Sequence, residues 1–320
     1  MPDNVSEGVL LVGAGQIAIE YAKVLRALNV PFTVVGRGKQ SSKRFFEATS
    51  QKPVSGGLER FLGGNTPHFM RAIVAVNIEN LVPCTKQLLS AGVKKILIEK
   101  PGALTPGELS EVNILAKMNS ADVFISYNRR FFASTIHAKE IIVNDGGVTS
   151  FTFDFTEWSH IIEKLPTSGE VKKRWFIANS SHVADLAFFL AGAPEKISCN
   201  VSGSVAWHPS AATFSGSGTT TTGALFSYHA NWAGPGRWGV EVVTRNHRLI
   251  FRPLEQLHIL DQKTVTIAAA EIDYSEDLEY KPGFYQQVKE FLSHNTNNLQ
   301  TLENQIRMLG IYNQIAGYAD

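Results

Sequence analysis

The segment Gly8-Val-Leu-Leu-Val-Gly-Ala-Gly-Gln-Ile-Ala18 runs from an apolar stretch through a glycine turn into a helical pattern. Its turn reads Gly13-x-Gly15-x-x-Ala18. In a strand–turn–helix of this kind the first glycine permits the tight turn. The second lets a pyrophosphate approach the backbone, and the third small residue lets the helix pack on the strand. The free N–H groups and the positive dipole end of the helix suit phosphates. Ile17, Tyr21, Val24, Leu25 and Leu28 recur at spacings of three and four, which predicts that helix. An apolar run before the turn and a helix after it are the context in which the pattern indicates dinucleotide binding. Gly13, Ala14, Gly15, Gln16 and Ile17 are therefore expected to hold a cofactor.

Further apolar runs follow at 32–35, 72–76, 95–98 and 122–127. A helical stretch ends near Ala91-Gly92, and Thr105-Pro-Gly-Glu108 has the form of a capping box with Pro at the first helical position. Continuous apolar strands separated by helices imply a parallel sheet covered on both faces. Residues 1–128 are thus expected to form a Rossmann-type, doubly wound α/β domain. From about residue 148 the texture changes. Residues 148–158 alternate apolar and polar, with Phe151, Phe153 and Phe155 in phase, and Ser181–Ala191 reads as a helix. The following Ser-, Thr- and Gly-rich, β-branched stretches predict hairpins in a large, open, mainly antiparallel sheet. Residues 129–320 are expected to form this α+β domain. Helical periodicity returns at 284–292 and 302–318, and the last helix is a candidate to pack back on the first domain.

The second strand of an NAD-binding unit usually ends in an acid that holds the ribose 2′-hydroxyl. Here it ends in Gly36-Arg37, with Ser41, Ser42 and Lys43 close behind. An acid would repel a 2′-phosphate, whereas Arg can pair with it bidentately. NADP(H) is therefore favoured over NAD(H), with Arg37 on the phosphate.

The chain has 320 residues, which suggests about two domains. Its 44% hydrophobic and 18% charged residues fit a globular protein. A formal net charge of +1 supplies no global field toward nucleic acid or anionic lipid, so neither is an expected partner. No apolar run is long enough to span a membrane. The polar stretch 1–8 lacks the form of a secretory signal, and Cys84 and Cys199 read as reduced thiols, so the expected location is cytoplasmic. Cys-x-x-Cys, His-Glu-x-x-His, Gly-x-Ser-x-Gly and phosphate-loop motifs are absent from the sequence, and no metal is expected.

Glu99-Lys100-Pro101 follows the fourth apolar run, Tyr127-Asn-Arg-Arg130 ends the fifth, and His182-Val-Ala-Asp185 lies on the later helix. With the glycine turn and Pro282-Gly-Phe-Tyr-Gln-Gln287, these resemble the glucose-fructose oxidoreductase/inositol dehydrogenase (Gfo/Idh/MocA) family over almost the whole chain. The resemblance implies a nicotinamide-dependent enzyme acting on a secondary alcohol or ketone of a sugar, cyclitol or nucleotide-linked sugar. It implies a homodimer or homotetramer built through the open sheet. It places Lys100 against both nicotinamide and substrate hydroxyl, gives His182 a part in proton transfer, and implies a cis peptide before Pro101. Val76, Asn77 and Glu99 are further cofactor-binding candidates. Asn128, Arg129, Asn179 and Asp185 join Lys100 and His182 as substrate-binding candidates. The chain departs from the family at Ala178, where many members have Asp, and at Asn77-Ile78 with Leu81, where Pro-Asn and a later His are usual.

A lysine at the C-terminal end of a parallel strand projects into the crevice where such folds bind ligands. Burial and an oxidised, cationic nicotinamide would both favour its neutral form, so Lys100 can serve as base or acid. His182 and Asp185 are three apart and share a helix face, which would let the carboxylate orient the imidazole. Asn179 is either a helix cap or an amide for substrate. Lys172-Lys-Arg174 is either a solvated loop or a phosphate site, and Trp158, Trp207, Trp232 and Trp238 either pack or stack on a sugar. The competing reading is a non-catalytic, dinucleotide-sensing protein of the same fold that binds a protein partner.

Overall fold

The computed structural model describes residues 5–64 and 68–318. Of the polar stretch at the start, residues 1–4 lie outside the described residues. Two compact units divide the chain, Met1–Tyr127 with Leu278–Arg307, and Asn128–Asp277 with Met308–Asp320.

The first unit holds a sheet of β1 (Val5–Val12), β2 (Phe32–Gly36), β3 (Val54–Ser55), β4 (His68–Val74), β5 (Lys95–Glu99) and β6 (Asp122–Ser126). They are parallel and lie in the order 3-2-1-4-5-6, that of a doubly wound dinucleotide-binding sheet. The strand Gln300–Thr301 adds an antiparallel edge beside β6, which the sequence did not reveal. The connecting helices are α1 (Gln16–Ala27), α2 (Lys39–Thr49), α3 (Gly57–Leu62), α4 (Ile78–Ser90) and α5 (Pro106–Met118). Helices on both faces explain the unbroken apolar runs, with Leu10, Ile73 and Leu97 all fully buried. The α1 pattern buries Ala18, Tyr21, Val24 and Leu25. The capping box of α5 closes as expected, Glu108 N–H donating to Thr105 Oγ1 and Thr105 N–H to Glu108 Oε2 at 3.3 and 3.1 Å. The sequence showed no helix at 39–49 because α2 buries only Phe45 and Thr49, too few residues to set a visible period.

The second unit holds β7 (Ser150–Asp154), β8 (Pro194–Ser202), β9 (Thr213–Thr220), β10 (Leu225–Asn231), β11 (Gly239–Val243), β12 (His247–Phe251), β13 (His258–Asp261) and β14 (Ile267–Ala269). Their order is 14-13-12-11-7-10-9-8, antiparallel throughout except for the parallel β7–β10 pair. The Ser/Gly/Thr run forms the expected β9–β10 hairpin. Its glycines have a packing reason: a Cβ on Gly216 or Gly218 would stand 2.4 Å from the Tyr228 ring or 2.7 Å from the Phe226 ring of β10. On the inner face, Phe188 of the Ser181–Ala191 helix meets Phe151, Phe153 and Phe226 at centroid distances of 5.9, 5.6 and 5.3 Å. Trp207, Trp232 and Trp238 are buried, and Trp158 is half exposed. The outer face carries Thr152, Ser215, Ser217, Ser227 and His229, with Leu225 as an exposed apolar residue. Most of the aromatic residues of this half are thus turned inward. Among the described residues no helix is long and apolar enough to cross a membrane.

Candidate active site

Parallel strands end on one edge of their sheet, so β1, β2, β4 and β5 deliver their following residues to the same side. That edge collects the Gly13 turn, Gly36-Arg37, Val76-Asn77 and Glu99-Lys100. Gly13 has φ +118°, and a Cβ there would lie 2.2 Å from the Ala75 carbonyl oxygen and 3.3 Å from Val76 Cγ1. Only glycine fits between β1 and β4 at this point. Gly15 is the reverse case, with nothing within 4 Å of a Cβ position. It is an open cradle at the start of α1, which has no side-chain cap. Ala14 sits against Gly36, and Gln16 and Ile17 open the helix.

Arg37 is exposed and forms no ion pair among the described residues. It lies just before Gly38, the N-cap residue of α2, and that first turn contains Ser41 and Ser42. The basic loop read from the sequence is therefore an arginine beside a helix start. Asn77 is the N-cap residue of α4 and makes no side-chain cap.

Glu99 is held by hydroxyls. Tyr21 Oη of α1 donates to Glu99 Oε1 at 2.7 Å, and Ser126 Oγ of β6 lies 3.3 Å from the same oxygen. Ser126 also reaches Gln287 Oε1 at 2.9 Å. Burial raises the Glu99 pKa above the usual carboxylate range, against the pull of Tyr21, Lys100 and Ser126. The Lys100–Pro101 peptide is cis, as the resemblance implies.

In the second unit Asn128 and Arg129 open a short 3₁₀ turn, Asn128–Phe131. Asn179 lies in the π-helical turn Phe176–Ser180, which runs into the Ser181–Ala191 helix bearing His182 and Asp185. Both oxygens of Asp185 are engaged by an arginine. Arg130 grips it in a buried fork, Nε to Oδ2 at 2.8 Å and Nη2 to Oδ1 at 2.6 Å. Asn179 Nδ2 donates to Glu157 Oε1 at 2.9 Å, and Ser180 Oγ donates to the same oxygen at 2.7 Å. Burial raises the Glu157 pKa, opposed by these bonds and by Arg237, whose Nη1 is 3.4 Å from Oε2. The His182 ring is 6.3 Å from that of Trp238. Arg129 and Arg237 both lie over Trp238, at 4.9 and 4.3 Å.

Glu157 and Arg237 were not singled out from the sequence, whereas Trp238 was, as one of four tryptophans that either pack or stack on a sugar, and it is buried. Glu157 had a signal: it continues the period of Phe151, Phe153 and Phe155 and so falls on the buried face. It brings a carboxylate to the segment that holds Ala178, Asn179 and Ser180. Lys172 and Lys173 belong to a short helix, Gly169–Lys173, with Lys173 paired to Glu170.

A model of the pyridine nucleotide-disulphide oxidoreductase family matches residues 8–60, the glycine turn and first βαβ unit. That segment contains no cysteine, so the match concerns the nucleotide-binding half alone. No curated protein matches the chain by sequence. Solved structures match over nearly the full length. A protein from Desulfitobacterium hafniense, provisionally described as an NADPH-dependent oxidoreductase, is 15% identical with a TM-score of 0.78, over 99% of this chain and 96% of its own. Levoglucosan dehydrogenase in complex with NADH and L-sorbose is 15% identical with a TM-score of 0.78, over 97% and 95%. UDP-N-acetylglucosamine 3-dehydrogenase from Acidithiobacillus ferrooxidans is 13% identical with a TM-score of 0.73, over 96% and 95%. At these identities the likeness is one of fold, and it covers both units.

Proposed function

We propose that this chain is a nicotinamide-dependent oxidoreductase interconverting a secondary alcohol and a ketone on a sugar-like molecule, with NADP(H) favoured over NAD(H). The observation that carries the reading is the shared strand-end edge, where an open glycine cradle, Arg37 and Lys100 come together. The residues fit the cofactor: Gly15 leaves room for a pyrophosphate at the start of α1. The bound nicotinamide supplies the hydride chemistry. Gly13, Ala14, Gly15, Gln16 and Ile17 hold the phosphates. Gly36 and Arg37 receive the adenosine end, and Val76, Asn77 and Glu99 line the cofactor side of the edge. Lys100 gives or takes the hydroxyl proton, and His182 is the second proton-handling group. Asn128, Arg129 and Asn179 bind substrate. Asp185 acts through Arg130, positioning the turn that carries Arg129. The division of labour is a dinucleotide domain at 1–128 and a substrate and assembly domain at 129–320. Both cysteines are free thiols, which suits a cytoplasmic setting.

The experiment that tests the reading is a panel of sugars and cyclitols offered with each cofactor, followed by nicotinamide absorbance. Tight NADPH binding without turnover on any of them favours the dinucleotide-sensing alternative. Cofactor choice has its own check. Charge-assisted hydrogen bonds are worth about 1.5–3 kcal/mol, so Arg37→Ala weakens NADPH binding by about 10- to 100-fold. NADH affinity hardly moves. Equal losses for both cofactors would mean that Arg37 supports its loop and not a phosphate.

A homodimer or homotetramer through the outer face of the second sheet belongs to the same proposal. Light scattering at micromolar concentration is expected to give a multiple of the chain mass. A strictly monomeric mass removes the assembly from the account.

A further inference from the structure

From the second unit we infer that the substrate is a sugar acid, whose carboxylate is bound by Arg129 on a platform made by Trp238 and Arg237. The inference rests on the oxidoreductase reading for the rest of the molecule, and names the substrate class. Arg129 has the environment of a site with a missing anion. Its Nε is sealed from solvent without a hydrogen-bond partner, while the side chain as a whole is only partly buried. Among the described residues its side chain makes one hydrogen bond, a long one, Nη1 to Asn128 Oδ1 at 3.5 Å. No carboxylate lies within ion-pair distance of it among the described residues. The neighbouring acids are committed elsewhere. Asp185 is taken by Arg130, and Glu157 by Asn179, Ser180 and Arg237. Glu255 acts on Arg129 only from an exposed position, where solvent screens it.

A desolvated guanidinium without a counter-ion is costly. Burial lowers the Arg129 pKa to about 10, with Arg237 pushing the same way and Glu255, Glu157 and Asp185 opposing. An anionic ligand relieves that cost. Stacking fixes the donor: Arg129 lies 4.9 Å over Trp238 and 5.9 Å over Phe132. Arg237 lies 4.3 Å over the same indole and 4.7 Å over Trp158. Two stacked guanidiniums are held in fixed orientation, so little side-chain entropy is lost on binding. With Nε sealed, the ligand is met by the terminal nitrogens, whose spacing matches the two oxygens of a carboxylate.

The acids around the site favour a carboxylate over a phosphate. Arg129 and Arg237 contribute two positive charges, which the buried Glu157 and the exposed Glu255 largely offset, and the Arg130–Asp185 pair is neutral. So small a positive excess suits a monoanion better than a dianionic phosphate. His182 borders the same Trp238, so the anion site adjoins a proton-handling residue of the proposed reaction.

The test uses the full chain and pairs of probes: hexuronates and aldonates, each against its neutral hexose or polyol, with hexose phosphates as a third arm. Binding is read from tryptophan fluorescence, and turnover from cofactor absorbance. The acid of at least one pair is expected to bind more tightly than its neutral partner. Arg129→Gln weakens that acid by about 10- to 100-fold and removes most of the preference for the acid over its neutral partner. In the wild-type protein added salt weakens the acid and not the neutral sugar, a readout that survives if the variant fails to fold. Arg129-dependent acid binding without turnover supports this site and refutes the oxidoreductase reading. Turnover of neutral sugars with no acid preference does the opposite. Preference for hexose phosphates, or no acid bound at all, overturns the inference.

Discussion

Lys100→Met lowers kcat by about 10²- to 10⁴-fold on any substrate the wild-type protein turns over. Methionine keeps much of the side-chain stem and removes the proton site. Lys100 follows β5 on the edge that carries the glycine turn, and it stabilises the neighbouring Glu99 carboxylate. The substitution therefore leaves the sheet intact and NADPH affinity largely unchanged. A limb of the wild-type pH–kcat profile that vanishes in the variant assigns that ionisation to the lysine. His182→Ala costs less than Lys100→Met when the lysine handles the proton itself. Equal losses move the role to the imidazole, and near-normal turnover by Lys100→Met removes the lysine from the mechanism.

Asp185→Ala destabilises the second unit by about 3–5 kcal/mol, because it removes the buried carboxylate that Arg130 grips with two bonds. Arg130 and Asp185 are 8% and 2% exposed, so little water is available to replace the lost partner. The thermal midpoint is expected to fall by roughly 10 °C or more. The pair itself is not the source of net stability. Replacing both residues with apolar side chains of similar volume recovers most of the loss, since desolvating two charges offsets much of their attraction. Failure of the double variant to recover would show that the charges also set the conformation of the Asn128–Phe131 turn. A loss under 1 kcal/mol for Asp185→Ala would mean that another acid or water replaces it.

The glycine turn, the strand runs of the first unit and the capping box were legible because each is a local pattern. The β9–β10 hairpin was legible for the same reason, through its β-branched residues and flanking apolar runs. The site in the second unit was only half legible. His182 and Asp185 share a helix, and their spacing suggested that one orients the other. The structure instead commits both Asp185 oxygens to Arg130, fifty-five positions earlier in the chain. Arg237 carries no local signal, and for Trp238 the sequence left packing and sugar stacking open. Both residues come near the end of β7 only because Gly239 of β11 pairs with Asp154, a register set by the whole sheet. Glu157 shows the intermediate case: its burial follows from the alternation of its strand, but its bonds to Asn179 and Ser180 do not. Short edge strands such as β14 and Gln300–Thr301 escape detection because two or three residues cannot establish a period.

The central claim is that a hydride passes between a nicotinamide and a carbinol carbon held by this chain. The most direct measurement is nicotinamide absorbance with wild-type protein, NADP⁺ or NAD⁺, and a panel of sugar acids, neutral sugars and cyclitols. The account predicts reduction of NADP⁺ by at least one member, faster than reduction of NAD⁺ and abolished or nearly so in Lys100→Met. Binding of both cofactors with no reduction by any member would contradict it.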